Sequence, residues 1–280
     1  MEQKTVFIGA TGYDHYCTEG RKKLLDAGCC LIENQLGRPY TAEELKAIGG
    51  EINAVICGCE VWNEETIAAA PNLKVIVKFG VGVDNIDVKY AEDNGITVRN
   101  TPRASSNSVA ELAIAHMLSC ARFVSVAGHT MREGKWEKKA YGKGIEIGGK
   151  TLGVIGYGRI GQALGRMAQA LGMQVLAYDI FKVDGLDCDT MHYVEMDELL
   201  AKSDFISLHT PSIDGKPFIN AETISKMKDG VVFINTSRGN NVDEDALLEA
   251  LNSGKIRAAG LDVYAKEPPT NEALINLSLI

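Results

Sequence analysis

The stretch Gly156-Tyr157-Gly158-Arg159-Ile160-Gly161 constrains this chain more than any other. It spells a G-x-G-x-x-G turn after an apolar strand candidate, Thr151–Ile155. It opens a helical pattern with apolar or small residues at Ile160, Ala163, Leu164, Met167, Ala168 and Leu171. A second strand candidate, Gln174–Tyr178, ends at Asp179. Strand, glycine turn, helix, strand and terminal acid in this order form a unit for gripping a dinucleotide. Gly156 permits the tight turn, Gly158 lets the backbone approach a pyrophosphate, and Gly161 lets the helix pack closely on the strand. The helix N-terminus then presents N–H groups and a partial positive charge to the phosphates. Asp179 can accept hydrogen bonds from both adenosine ribose hydroxyls and repels a 2′-phosphate, so NAD is expected over NADP. An aspartate that merely caps a turn is the plainer alternative. The unit begins past the middle of the chain, so another folded unit is expected in front of it.

That front half alternates strand and helix candidates. Strands are expected at 5–9, 29–32, Ala54–Cys57, 73–79 and 96–98. Helices are expected between them: one capped by Thr18, one opened by the capping box Thr41-Ala42-Glu43-Glu44, and two more at 64–70 and 87–94. Alternation at this spacing implies βαβ units on a parallel sheet. Residues 105–134 form a long helical stretch, one helix or two. After Asp179 the alternation resumes, with strands at Phe205–Leu208, Val231–Asn235 and 256–262 and with Asp243 capping a helix. The fold class expected is α/β, with two Rossmann-like, doubly wound parallel sheets. The domains are placed at 1–100 and 101–280.

Composition narrows the partners. Of 280 residues, 45% are apolar and 24% charged, as in a soluble globular protein. The net charge of −8 repels nucleic-acid phosphates and anionic lipid, so no nucleic acid and no membrane is expected as a partner. The seven cysteines are odd in number and contain no C-x-x-C. They read as buried thiols in a reducing compartment, rather than as a disulfide framework or a metal site. The N-terminus runs straight into a strand candidate, and the cytoplasm is the expected location.

Further candidates sit where strands end. Arg238, in Asn235-Thr236-Ser237-Arg238-Gly239, follows an apolar strand at the carboxyl end of the sheet, where such folds bind ligands. A guanidinium there can clamp a carboxylate and polarise a neighbouring carbonyl; a structural ion pair is the alternative. Asp262 ends another strand, and Glu267 precedes two prolines. Glu267 could orient an imidazole, although either acid alone is equally a loop residue. Gly80-Val81-Gly82 could form an anion nest or a plain turn, with Lys78 and Arg103 as candidate charges at its mouth. His209, in His209-Thr210-Pro211, is expected to line the nucleotide site rather than to act as an acid or base. His116 is expected to be packed.

Together these residues resemble the D-2-hydroxyacid dehydrogenase family, most closely its phosphoglycerate dehydrogenase-like branch. The resemblance rests on Phe79 to Asp87, Asn100-Thr101-Pro102, Ser108-Val109-Ala110-Glu111, the glycine turn, His209-Thr210-Pro211, Thr236-Ser237-Arg238-Gly239 and Gly260-Leu261-Asp262-Val263 with Glu267-Pro268. It implies an active site in a cleft between two domains and a small 2-hydroxy or 2-oxo acid as substrate. Backbone N–H groups of Gly80, Val81 and Gly82 would hold the substrate carboxylate opposite Arg238. Asp262 would meet the nicotinamide carboxamide, and Ser108, Arg159, Ile160, Thr210, Pro211 and Thr236 would contact the cofactor. The helices within 105–134 would build a homodimer and hinge.

The resemblance also implies an acid/base histidine supported by Glu267. No histidine follows Glu267 in this sequence, and 277–280 depart from the family pattern. The chain is therefore expected to be truncated near Asn276, and the first domain to lack its return helix. Two functions follow: an NAD-dependent oxidoreductase of D-2-hydroxy acids, or an NAD-binding protein with little turnover. A phosphate anchor is not evident, because Cys57-Gly58-Cys59-Glu60 stands where a cation is expected in that branch.

Overall fold

The computed structural model describes residues 3–212 and 216–277; of the tail at 277–280, residues 278–280 lie outside the described residues. The chain divides into two compact units, Met1–Ser105 and Ser106–Ile280. Each is α/β with an all-parallel sheet.

The first unit contains β1 (Thr5–Ile8), β2 (Cys30–Glu33), β3 (Ala54–Cys57), β4 (Val75–Lys78) and β5 (Thr97–Arg99), in the order β2-β1-β3-β4-β5. The order reverses between β1 and β3, so this sheet has a switch point where those strands end. Phe7, Leu45, Trp62 and Ile76 fill the core and are almost wholly buried. The expected capping box forms: Thr41 Oγ1 accepts the Glu44 N–H, and the Glu44 carboxylate accepts the Thr41 N–H. Thr18 differs from expectation. It is the first residue of the helix Thr18–Asp26 and not its cap, because the short helix Tyr13–Tyr16 runs almost directly into it.

The second unit contains β6 (Thr151–Ile155), β7 (Gln174–Tyr178), β8 (Met191–Tyr193), β9 (Phe205–Leu208), β10 (Val231–Asn235) and β11 (Ile256–Leu261), in the order β11-β10-β9-β6-β7-β8. Its reversal lies between β6 and β9. Strands β9 and β10 are buried at every position, which explains their mostly apolar sequence, broken only by the buried Ser207 and Asn235. The long helical stretch resolves into Ser106–Arg122 and Val124–Arg132, bent by 67°. Between them Phe123 adopts a positive φ of 59°. The first helix buries Ala110, Ala113, Met117 and Ala121, spaced three or four apart. Three alanines in that stripe let it approach the sheet and the helix Arg159–Ala170 closely. The second helix buries nothing, and Val124, Met131 and nearby Trp136 are exposed.

Candidate functional site: a dinucleotide crevice at the second switch point

The three glycines of the turn after β6 play three different parts. Gly156 has φ 92°, and a Cβ there would lie 2.7 Å from the carbonyl carbon of His209 on the neighbouring strand end. A Cβ on Gly161 would lie 2.2 Å from the Gly156 carbonyl oxygen, so the helix can seat on the turn only with glycine there. A Cβ on Gly158 would meet nothing within 4 Å. Packing therefore does not demand the middle glycine, and the space beside it is open. Gly158 is also the N-cap of the helix Arg159–Ala170 and offers no side-chain cap. The first-turn N–H groups are left to water or to an anion.

Asp179 holds this turn. One carboxylate oxygen accepts the Tyr157 N–H at 2.7 Å, and the other accepts the Phe181 N–H at 2.9 Å. The turn-capping role is thus real, yet a carboxylate has about four acceptor positions and two are filled here. Open space at Gly158, an uncapped helix N-terminus and an acid at the end of β7 fit a dinucleotide whose ribose carries free hydroxyls. Arg159 is exposed beside the turn and Ile160 half-buried.

The ends of β9, β10 and β11 supply the rest of the rim. The His209 ring bonds to Ser207 Oγ at 2.9 Å through Nε2, while its Nδ1 is buried without a partner. Burial pushes the imidazole pKa down to about 4, so the ring is neutral at ordinary pH. The Thr236 hydroxyl is likewise buried and unpartnered. Asn235 shapes the next turn: its Oδ1 accepts the Ser237 N–H and hydroxyl, and its Nδ2 donates to the Arg238 carbonyl. Arg238 is half-buried, and its Nη1 donates to the Ser237 carbonyl at 2.7 Å. Gly239 carries the chain against the 264–265 backbone, since a Cβ would lie 1.9 Å from the Tyr264 carbonyl carbon.

Asp262 is exposed, with its N–H bonded to the Asn235 carbonyl. Glu267 is exposed and accepts the Tyr264 N–H at 3.2 Å. Ser108 is exposed in the first turn of its helix, Thr210 is half-buried and Pro211 exposed. His116 packs against β11, where a Cβ on Gly260 would lie 2.6 Å from the His116 Cβ. Burial lowers its pKa, and the nearby Asp262 opposes that shift.

In the first unit Gly80 departs from the expected nest. Its N–H donates to Thr101 Oγ1 at 3.0 Å, so it is not available to an anion. Among the described residues, no acceptor takes the Val81 or Gly82 N–H. Sequence reasoning misses the group that organises this end of the sheet. Glu60 is 1% exposed; its carboxylate accepts the Gly58 N–H and lies against Gly9, where a Cβ would be 2.0 Å from Oε1. Lys78 Nζ donates to the Gly58 carbonyl and to Asn85 Oδ1, and Asn85 Nδ2 donates to the Glu60 carbonyl. The available signal is an acid set among small and apolar residues, Cys57 to Trp62.

Fold and site define a two-unit α/β protein with a dinucleotide crevice in its second unit. The model of the D-isomer specific 2-hydroxyacid dehydrogenase NAD-binding domain matches residues 114–279. A hydroxypyruvate reductase of Thermotoga maritima is 50% identical over 232 residues, 82% of this chain and 75% of that protein. A D-3-phosphoglycerate dehydrogenase of Archaeoglobus fulgidus is 48% identical over 208 residues, 74% of this chain but 39% of that protein. Among solved structures, a glyoxylate reductase from Paecilomyes thermophila superimposes with a TM-score of 0.85 at 33% identity, over 99% of this chain and 87% of that one. The chain belongs to the D-isomer specific 2-hydroxyacid dehydrogenase family. Members of that family are NAD-dependent oxidoreductases acting on CH–OH donors.

Two outcomes follow from this geometry. Gly158→Val should keep the fold, because its side chain enters open space, but weaken NADH binding by about tenfold or more. A calorimetric titration compares wild type and variant directly, and unchanged affinity would remove the phosphate turn from the site. The second outcome concerns pH. The folded-state pKa of His209 is about 4, below the ordinary value of 6.5, so the unfolded chain takes the proton more readily. The stability tied to the neutral ring is complete above about 6.5 and is lost as pH falls through about 4. In urea titrations across that window, His209→Gln should lose stability less steeply than wild type, with His116 contributing a remaining slope of the same sign.

Proposed function

We propose that this chain reduces a small, unphosphorylated 2-oxo acid, hydroxypyruvate or glyoxylate, or oxidises the matching 2-hydroxy acid. The observation that carries the choice is the turn after β3. A phosphorylated substrate calls for a cationic clamp. Here Cys57-Gly58-Cys59-Glu60 offers no cation, Lys78 is tied to Gly58 and Asn85, and Glu60 places a carboxyl group on the same turn. The likeness to a protein named hydroxypyruvate reductase supports the same class.

Within this reading Gly156, Gly158, Arg159, Ile160, Gly161 and Asp179 hold NAD, with Ser108, His209, Thr210, Pro211, Thr236 and Asp262 on its rim. NAD, when bound, would accept the hydride from the CH–OH carbon, and in reverse NADH would supply it to the carbonyl carbon. Arg238 holds the substrate carboxylate through its planar fork and polarises the carbonyl. Within the first unit taken by itself, the Val81 and Gly82 N–H groups, with Gly80 shaping the turn, are a candidate anion receptor. Glu267, whose exposed carboxylate is held at the Tyr264 loop, would support an acid/base imidazole, and no histidine follows it in this sequence.

The test compares kcat/KM for hydroxypyruvate, glyoxylate and phosphohydroxypyruvate with NADH. The unphosphorylated acids should be preferred about tenfold or more; preference for the phosphorylated acid would sink the substrate assignment. NADH binding with no turnover on any of the three would favour the non-catalytic alternative. Arg238→Lys, which keeps the charge and loses the fork, should cost on the order of 10²-fold in kcat/KM.

We further propose that the chain is a cytoplasmic homodimer. All seven cysteines are free thiols, which supports a reducing compartment, although only Cys57 is buried and Cys30, Cys59 and Cys188 are exposed, contrary to the buried thiols expected. The dimer would assemble on the helix Val124–Arg132, which buries no residue of its own and exposes Val124 and Met131 beside Trp136. Light scattering should give twice the chain mass of 30.2 kDa, and Met131→Glu should return it to the single-chain value. A wild-type monomer at micromolar concentration would refute this.

A further inference from the structure

We propose that Asn241, assisted by Asn240, is a positioning residue that fixes the segment Thr210-Pro211-Ser212 for cofactor binding. The inference rests on the assignment of Thr210 and Pro211 to the NAD site. Both asparagines lie in the 3-10 turn Gly239–Asn241, immediately after Arg238. Asn241 is completely buried. Its Nδ2 lies 3.3 Å from the Thr210 carbonyl, 3.2 Å from Thr210 Oγ1, 3.2 Å from the Pro211 carbonyl and 3.5 Å from Ser237 Oγ.

Two of those acceptors are carbonyl oxygens, which can only accept. The amide must therefore present its NH2 side to the segment, because the flipped rotamer would set oxygen against oxygen. Asn240 adds a second attachment, donating from Nδ2 to Ser212 Oγ at 3.0 Å. The Asn241 carbonyl accepts the Ile219 N–H at 3.1 Å and so anchors the chain where it returns.

The segment held this way touches the phosphate turn. A Cβ on Gly156 would lie 3.0 Å from Thr210 Cγ2, so the Thr210 side chain is packed close against the first glycine. On its other side the same asparagine is linked to the Arg238 turn, since its N–H donates to the Arg238 carbonyl at 3.3 Å. One buried asparagine, through its side-chain NH2 on one side and its backbone N–H on the other, thus joins the wall of the cofactor crevice to the turn carrying Arg238. An apolar side chain of the same size would leave two carbonyls without their donor. Buried polar groups without a partner are unfavourable, and the segment would relieve that by moving away.

The test measures NADH dissociation constants by calorimetry for wild type, Asn241→Leu, Asn241→Ser and Asn240→Ala, with Gly158→Val as the reference for a damaged site. Asn241→Leu should weaken NADH about tenfold, the worth of one buried hydrogen bond. Asn241→Ser, which retains a donor, should recover part of the loss, and Asn240→Ala should lose roughly two- to threefold. The KM for NADH should rise more than the KM for the oxo acid, a split that a general loss of stability would not produce. A folded Asn241→Leu variant with wild-type NADH affinity overturns the proposal. If both Asn241 variants fail to fold, Asn240→Ala decides: unchanged affinity, with unchanged hydrogen exchange over 210–212, overturns it as well. Failure of the wild type to bind NADH, or full binding by Gly158→Val, would instead indict the cofactor-site assignment.

Discussion

The close approach of two strand ends sets the architecture of the second unit. Where β6 and β9 finish, the Gly156 backbone comes so near the His209 carbonyl that no side chain fits between them. Only a glycine can turn there with positive φ and let the following helix start above the gap. That start aims an uncapped helix N-terminus at the crevice, and Asp179 ties the turn down from the β7 side. The turn forced by that contact carries the open position at Gly158 and the helix start, and Asp179 fastens it separately.

The first unit has the same kind of switch point and resolves it differently. Between the ends of β1 and β3 the position an anion would take is filled by the Glu60 carboxylate, pressed against Gly9 and bonded to the Gly58 N–H. The internal carboxylate satisfies the local donor and occupies the space inside the turn. Lys78 and Asn85 then knit the ends of β3 and β4 together around Gly58. A doubly wound sheet therefore does not by itself make a nucleotide site; what matters is whether the crevice is left open. In this chain the open crevice lies in the unit that the NAD-binding domain model matches.

Much of this is legible in the sequence because it depends on local rules. The strands Ala54–Cys57, Thr151–Ile155, Gln174–Tyr178, Phe205–Leu208 and Val231–Asn235 coincide with their apolar runs, and Asp243 caps its helix through two N–H groups as its position suggests. The short strand β8 escapes such rules because it has three residues, one of them an exposed histidine, and it exists by pairing with β7. Thr18 misleads because a capping residue is recognisable only if the chain before it is not already helical. Glu60, Asn85, Asn235 and Asn241 stay hidden for a common reason. Their partners are backbone carbonyls and amides brought close by the turns themselves, and sequence periodicity carries no information about those.

The polar residues at the carboxyl ends of β9 and β10 explain how a site this polar can be held still. A half-buried guanidinium on a loop would ordinarily sample many rotamers, which costs affinity each time it is ordered. Here the Arg238 carbonyl is bonded by Asn235 Nδ2 and by the Asn241 N–H, its guanidinium bonds the Ser237 carbonyl, and Gly239 is pinned against the Tyr264 backbone. The turn is fixed by side-chain amides that cannot titrate, and His209 beside it is neutral because of its burial. The Arg238 guanidinium is thereby attached to a turn whose own fixing groups carry no charge. Fixed dipoles meet a charge without having to reorganise, so a turn held by amides keeps its geometry whatever charge develops beside it.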